Sequence, residues 1–373
     1  KLFVQAAHAD EQDDVAEQAI REGAELYPTS AVFPNLSGEL ELARGLNEAA
    51  SQAFEKAIKM DPTFVDAYLN LADVKVSAGR LSEAAEVLAL GVEAVPQSIE
   101  LLLQLAKIRT EKQEFPEAEA SLVKLLELDP DHFAATRLLG HVLEAQSKFA
   151  QVVTALAALE KKGGLDRDSA ICLGRAYLAT RQSKEAVEIL QNLHSAEAPD
   201  WEASAEYGRA LFETGDMAGA EEVLNTVVVE DPSQGSAFHY LGRLYAASGR
   251  SKEAVEALKE ASRLEPRRNN YRIVLATELL KLGDKDSLGD AKVQLDQVIS
   301  TYERDNVPAA IRDYRAWALR GDLLMSEGKY PFAQKDFVAA LELAPGRVDL
   351  LFKTGLFLLE QSRHDDAVVY FKQ

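Results

Sequence analysis

A spacing of 34 residues recurs along this chain and limits what it can fold into. Three similar stretches, LGRAYLATR, YGRALFETG and LGRLYAASG, begin at Leu173, Tyr207 and Leu241. Prolines keep the same spacing, with three periods in the longest interval, at Pro28, Pro62, Pro96, Pro130, Pro232 and Pro266. A fixed period of this length indicates an array of one small structural unit, in which each copy packs mainly on its neighbours.

Each unit has the pattern of two helices joined by a turn. In 65–96, apolar residues recur three and four positions apart on both sides of Gly79; they are Tyr68, Leu71, Ala72, Val74 and Val76, then Leu81, Ala84, Ala85, Leu88 and Val92. This spacing places them on one face of each helix. We expect Gly79 to take the left-handed conformation that ends the first helix, and the closing proline to stop the second. Because no strand-like alternation is present, the predicted fold class is all-α.

The unit resembles the tetratricopeptide repeat. In that repeat the first helix, helix A, carries a Leu-Gly pair, and the second, helix B, carries an alanine followed by a large apolar residue. The pair or a close equivalent recurs at Leu71/Ala72, Leu105/Ala106, Leu139/Gly140, Leu173/Gly174, Tyr207/Gly208, Leu241/Gly242 and Leu275/Ala276. The helix B alanine recurs at Ala16, Ala50, Ala84, Ala118, Ala186, Ala220, Ala254, Ala291, Ala333 and Ala367, and Val152 replaces it in 133–166. Small residues are expected there because the two helices approach closely.

The resemblance implies a right-handed α-solenoid of stacked antiparallel helix pairs. We expect a single array over 1–373 with about nine full and two partial repeats, and we expect the chain to be a fragment of a longer protein. One unit is irregular, because Pro266 and Pro345 are 79 residues apart, 11 more than two periods. We place the insertion at about 284–313. Asn306 is predicted to cap, and Pro308 to begin, a helix A lengthened to about Ser326. The insertion is either a tolerated loop or a kink or docking ridge.

The composition argues against several functions. The 41 basic and 61 acidic residues give a net charge of −20, which disfavours general binding to nucleic acid or to anionic lipid. No apolar run reaches the roughly 18 residues that a membrane-spanning helix needs, so we expect no membrane insertion by this segment. The one cysteine, Cys172, lies between apolar neighbours and is expected to be a core residue. The predicted location is cytoplasmic or, alternatively, periplasmic.

The sequence contains no recognisable catalytic or cofactor motif. It has no glycine-rich phosphate-binding loop, no HExxH and no GxSxG. No two of the six histidines, at positions 8, 132, 141, 194, 239 and 364, lie three or four residues apart on one helix, so we expect no local metal site. We therefore predict a protein that is not an enzyme and that binds no cofactor or metal.

In tetratricopeptide arrays helix A lines an inner groove where extended peptides usually bind, and the residue after the small pair faces into it. Five consecutive units of this chain carry a basic-capable residue at that position: Lys107, His141, Arg175, Arg209 and Arg243. The other units carry Asp73, Thr277, Asp322 and Leu356 there. We predict that the five bind a partner, with Arg137 and His239 adding basic character and Phe212 and Tyr240 adding apolar or stacking contacts. Asn70 and Gln104 are predicted to bind a peptide backbone.

The leading functional prediction is a non-catalytic scaffold or adaptor. It would bind an acidic protein segment in the groove between about Lys107 and Arg243, with modest, salt-sensitive affinity. A second interpretation of the arginines is that they pair with acids of their own helix, as Glu206 and Glu213 are placed to do with Arg209. The alternative function is the helical accessory region of a larger bacterial envelope machine, for polysaccharide export or for pilus or secretion assembly.

Overall fold

The chain is described by a computed structural model over residues 13–194 and 200–372. These residues form 21 α-helices and one 3-10 helix, and they contain no strand. The predicted all-α fold of helix pairs is confirmed. The chain divides into two compact units, the first ending at Arg181 and the second beginning at Gln182. The start of the predicted array, including His8, lies outside the described residues.

The first unit contains ten helices, and each packs on the next. They are α1 (Asp13–Leu26), α2 (Val32–Ala43), α3 (Asn47–Met60), α4 (Val65–Ser77), α5 (Leu81–Ala94), α6 (Ile99–Glu111), α7 (Phe115–Leu128), α8 (Phe133–Ala145), α9 (Phe149–Lys161) and α10 (Arg167–Ala179). From α2 onwards the even-numbered helices are helix A of a repeat. Within this unit, α2, α4, α6 and α8 each also contact the helix A of the next repeat.

The second unit contains eleven helices that follow the same order. They are α11 (Ser183–His194), α12 (Trp201–Thr214), α13 (Met217–Glu230), α14 (Gly235–Ala247), α15 (Ser251–Leu264), α16 (Asn269–Leu282), α17 (Lys285–Arg304), α18 (Arg315–Ser326), α19 (Tyr330–Leu343), α20 (Val348–Glu360) and α21 (His364–Lys372). Here α12, α14, α16, α18 and α20 are helix A of their repeats. No helix among the described residues is long and apolar enough to span a membrane.

The contact between helices A and B explains the small residues of the repeat. A Cβ built at Gly140 would lie 2.7 Å from Leu156 Cδ1, and one built at Gly242 would lie 2.5 Å from Leu258 Cγ. The predicted helix B alanines are all buried, and so is Val152. The leucine that meets the glycine stands four residues after that alanine or valine, so one packing contact accounts for both parts of the sequence pattern.

The turn between helices A and B uses a left-handed residue, as predicted for Gly79, whose φ is +72°. The same conformation recurs at this position in Gly45, Gln113, Ser147, Arg181, Gly215, Gly249, Gly283, Gly328 and Ser362. The amide of this left-handed residue donates a hydrogen bond to a carbonyl of the last turn of helix A, as Gly79 N does to Val76 O at 2.8 Å. The turn therefore keeps its geometry even where the sequence lacks glycine.

The prediction for the irregular unit is wrong in detail. The lengthened helix is a helix B, α17, which has 20 residues, whereas helix A of the next repeat begins at Arg315. Asn306 follows α17 with a φ of +47° and donates to Glu303 O, so it closes that helix rather than capping the next one. Asparagine suits this role because its side chain tolerates the left-handed conformation. Pro308 precedes a short 3-10 helix, Ala309–Ile311.

Candidate functional site

The residues after the small pairs form a row along the helix A surface of each unit, which we call the helix A face. In the first unit it includes Lys107, His141 and Arg175, and in the second it includes Arg209 and Arg243. Lys107 is exposed and the other four are half-buried. These five side chains are thus accessible to solvent.

A constant register links neighbouring helices along this face. The residue after one small pair meets the residue 31 positions later, which stands two before the glycine or alanine of the next pair. Examples are the hydrogen bond from Asn70 Nδ2 to Glu39 Oε1 (3.1 Å), that from Lys353 Nζ to Asp322 Oδ2 (2.6 Å), and the Arg209 guanidinium 5.6 Å from the Tyr240 ring centre. Several side chains on this face are therefore partnered across adjacent repeats.

In the first unit, the predicted cations differ in how they are engaged. Lys107 forms no ion pair within the described part of the chain. Arg137 donates from Nε to Gly164 O at 2.7 Å and lies 3.3 Å from Asp166, so it braces the turn after its own helix pair. Arg175 Nη1 lies 3.9 Å from Glu144 Oε1.

In the second unit, Arg209 is ion-paired within the protein, whereas Arg243 is not. Arg209 donates from Nε to Glu213 Oε1 at 3.0 Å and also lies 3.4 Å from Glu206. The interpretation that this arginine pairs with acids of its own helix is confirmed. Arg243 instead lies over the ring of Phe212, 5.5 Å from its centre, and pairs with no carboxylate of the described residues.

Tyr240 and His239 are less exposed to solvent than their predicted binding roles require. Tyr240 is 8% exposed and donates its hydroxyl to Glu206, at 3.2 Å from Oε2. His239 is 3% exposed and stacks on Tyr271 with ring centres 4.2 Å apart. Burial lowers the pKa of His239 to about 3, and the charges of Arg243, Arg209 and Arg268 act in the same direction. The prediction that His239 adds basic character is therefore wrong, because the ring is neutral at physiological pH.

Of the two residues predicted to bind a peptide backbone, Asn70 is engaged within the protein. It is buried and donates to Asn35 Oδ1 at 3.0 Å as well as to Glu39. This network joins α2 to α4, and it leaves the carboxamide enclosed between the two helices. Gln104 is half-buried on α6.

The helix A face also contains a group of side chains that local sequence spacing did not reveal. His141 and Glu144 of α8 meet Cys172 of α10, and one possible metal-ligand atom from each lies within 4.8 Å of the others. Cys172 is buried, as predicted, and burial together with the charge of Glu144 raises the pKa of its thiol. His141 and Cys172 are 31 positions apart, so the register of the repeat, rather than histidine spacing, is the signal that finds them.

Comparison with known proteins agrees with the repeat and its packing. Models of the tetratricopeptide repeat match residues 41–108 and 177–245, residues 103–164 and 318–373, and residues 236–268. The chain belongs to the tetratricopeptide repeat family. Repeats of this family stack into extended binding surfaces, and the chain is a protein-interaction scaffold of a kind that is typically non-catalytic. No curated protein matches the sequence.

Several solved structures resemble the chain. One is a tetratricopeptide repeat protein from Parabacteroides merdae, at 17% identity and a TM-score of 0.47, covering 70% of this chain and 99% of that one. Another is Naa15/Naa10 bound to HypK-THB, at 11% identity and a TM-score of 0.46, covering 99% of this chain and 66% of that one. A third is the APC/C hetero-tetramer Cut9-Hcn1, at 12% identity and a TM-score of 0.47, covering 92% and 86%.

Proposed function

We propose that this tetratricopeptide array binds an acidic segment of a partner protein on its helix A face. The observation that carries the proposal is the state of Arg243. Its guanidinium lies over Phe212 and is half-buried, yet it forms no ion pair with a carboxylate among the described residues. In a chain with a net charge of −20, a cation on this face without an acidic partner supports a role in binding an external carboxylate.

Lys107 provides the equivalent feature in the first unit. It is exposed, it occupies the same repeat position as Arg243, and no described carboxylate pairs with it. Arg175 and Arg209 contribute less to the proposal, because Glu144 and the Glu206/Glu213 pair already engage them. We therefore assign the strongest partner contacts to Lys107 in the first unit and to Arg243 in the second.

The chemistry of Arg243 suits a carboxylate on an extended segment. Its planar guanidinium can donate two parallel hydrogen bonds to one carboxylate, while the Phe212 ring holds it in place from below. Preorganisation of this kind reduces the entropy lost on binding. Exposed charges are screened by salt, so the affinity is expected to fall as ionic strength rises.

A peptide-display selection on the full chain tests the proposal. Enriched peptides are sequenced, and their affinities are measured by fluorescence anisotropy for the wild-type chain, for Arg243→Glu and for Lys107→Glu. Arg263→Glu is the matched control, because Arg263 is an exposed arginine on the helix B α15. Circular dichroism verifies that all variants retain their helix content.

We expect enriched peptides to be rich in Asp and Glu. One of the two charge reversals should weaken them at least tenfold, since a hydrogen bond to a charged group contributes about 1.5–3 kcal/mol. The control should bind like the wild type, and added salt should weaken binding. Enrichment of neutral or basic peptides, or equal binding by all four proteins, would reject an acidic ligand on this face. The variant that loses binding identifies the unit responsible.

A further inference from the structure

We propose that His141, Glu144 and Cys172 form a binding site for a divalent transition-metal ion, with Zn²⁺ as the best-matched ion. The site lies in the first unit, on two adjacent helices of type A. It is independent of the acidic-partner proposal, because it uses neither Lys107 nor Arg243.

The positions of the three donor atoms allow one ion to reach them all. Zn²⁺ binds nitrogen and oxygen at about 2.0–2.2 Å and sulfur at about 2.3 Å, so neighbouring ligand atoms around a tetrahedral ion are about 3.5 Å apart. In the structure the imidazole, carboxylate and thiol atoms lie within 4.8 Å of one another. Small side-chain rotations therefore close the set around an ion, without movement of the helices.

The backbone holds these donors in a suitable arrangement. His141 and Glu144 are three residues apart on α8, so they lie on the same face of that helix. Cys172 comes from α10, which packs directly against α8. The cysteine is 1% exposed whereas His141 and Glu144 are half-buried. The sulfur thus forms the floor of the site, and the other two ligands lie on the side from which an ion would enter.

The types of ligand decide which ion fits. One sulfur, one imidazole nitrogen and one carboxylate form a donor set that Zn²⁺ accepts, whereas Ca²⁺ and Mg²⁺ prefer oxygen ligands alone. Three protein ligands leave a fourth position of the tetrahedron for water or for a group from another molecule. The site therefore resembles an open zinc site more than a closed structural one.

Binding requires two local changes. The thiol is protonated before the ion arrives, because burial raises its pKa, so Cys172 must release one proton as the metal–sulfur bond forms. Glu144 must turn from Arg175, whose Nη1 lies 3.9 Å from Oε1, toward the ion. The nearby guanidinium weakens the affinity for a cation, whereas the thiolate and carboxylate together neutralise the two positive charges of the ion.

Cobalt titration of the chelator-treated full chain tests the site. Co²⁺ substitutes for Zn²⁺ and gives a thiolate charge-transfer absorption in the near ultraviolet only when it is bonded to cysteine sulfur. We expect this band to saturate at one ion per chain and to be absent in Cys172→Ser. Added Zn²⁺ should abolish the band by displacing Co²⁺ from the site. Because losing even an outer-shell partner costs about 10–100-fold in metal affinity, His141→Ala and Glu144→Gln should weaken binding at least tenfold. His364→Ala, at an exposed histidine on α21, should bind cobalt like the wild type.

A second measurement guards against variants that fold poorly. Zn²⁺ should raise the midpoint of thermal unfolding of the wild type but not that of Cys172→Ser. The midpoints of the two proteins without metal are compared directly, to check that the variant folds. If no thiolate band forms, or if the band persists unchanged in both His141→Ala and Glu144→Gln, the proposal fails. In that case the three residues form a core thiol hydrogen-bonded to a glutamate.

Discussion

Gly208 of α12 lies directly against Leu224 of α13, so that a Cβ at the glycine would be 2.5 Å from Leu224 Cγ. Real Cβ atoms do not approach a neighbour this closely, and Leu224 is fully buried, so the helices or the leucine side chain would have to shift. The same relationship joins Gly140 to Leu156 and Gly242 to Leu258. The glycine of the Leu-Gly pair is therefore required by the leucine of the partner helix, rather than by the conformation of its own backbone.

We predict that Gly208→Ala destabilises the second unit by about 1–3 kcal/mol, because the added methyl overpacks a filled contact. The matched change Gly289→Ala should stabilise the same unit by about 0.5–1 kcal/mol, because alanine has the higher helix propensity. Gly289 lies within α17, and nothing lies within 4 Å of its Cβ position. Chemical denaturation followed by circular dichroism compares the two. Equal shifts in the same direction would contradict the packing explanation.

We predict that Gln113→Gly stabilises the first unit by up to about 1 kcal/mol. A left-handed conformation costs a residue with a side chain about 1–2 kcal/mol, and glycine removes this cost. Part of the gain is lost because glycine makes the unfolded chain more flexible. Gln113 occupies the turn position with a φ of +62°, and its side chain is exposed. The reverse change, Gly79→Gln, should destabilise the equivalent turn. Thermal unfolding of the two variants checks the opposite signs.

The sequence predicted the repeated parts of the fold because the same packing problem is solved many times. The alanines of helix B, the small pairs of helix A and the turn at Gly79 all appear in several copies, so their roles are visible in the pattern. Gln113 at a left-handed turn was not predicted, because only its position in the register, and not its residue type, indicates the conformation.

The irregular unit and the surface were harder to predict. Asn306 and Pro308 have the residue types of a helix start, but the core contact of Tyr302 with Trp317, whose ring centres are 5.7 Å apart, extends helix B to this point instead. On the helix A face, the repeat pattern indicates the positions of the cations but not their partners. The residue type of His239 predicts a basic side chain, whereas burial against Tyr271 determines its charge.

Acid should destabilise the second unit partly through His239. Its pKa is about 3 in the folded chain and about 6.5 when unfolded, so between these values the unfolded chain binds one more proton. This contribution to stability is complete above about pH 6.5 and is lost as the pH falls toward 3, at up to about 1.4 kcal/mol per pH unit.

His239→Phe keeps a ring against Tyr271 and removes the titration. We expect its unfolding free energy to fall less steeply than that of the wild type between about pH 6.5 and about pH 4. The nearby tyrosines, Tyr240 and Tyr271, do not titrate in this range, because the ordinary pKa of tyrosine is about 10 and burial raises the pKa of both further. Denaturation across this range measures the slopes, with the exposed His364→Gln as control. Parallel slopes for His239→Phe and the wild type would show that His239 is not responsible.

Arg320 is predicted to stabilise the packing of α18 on α19 through a buried carboxylate. Its Nε and Nη2 donate to the two oxygens of Asp336 at 2.7 and 2.8 Å, and its Nη1 donates to Asp296 at 2.8 Å. Asp336 is only 3% exposed, so Arg320→Met leaves a buried charge without its main partner. The expected cost is about 3–5 kcal/mol, measured by denaturation and by faster amide hydrogen exchange in α18 and α19.

A double variant separates the stranded charge from lost packing. Adding Asp336→Leu to Arg320→Met should recover most of the stability, because replacing a whole buried ion pair by apolar residues is often neutral or favourable. Arg363→Met, which breaks the exposed pair with Asp366, should cost no more than about 1 kcal/mol. If the double variant is as unstable as Arg320→Met alone, the loss comes from the packing of the arginine side chain rather than from the unpaired carboxylate of Asp336.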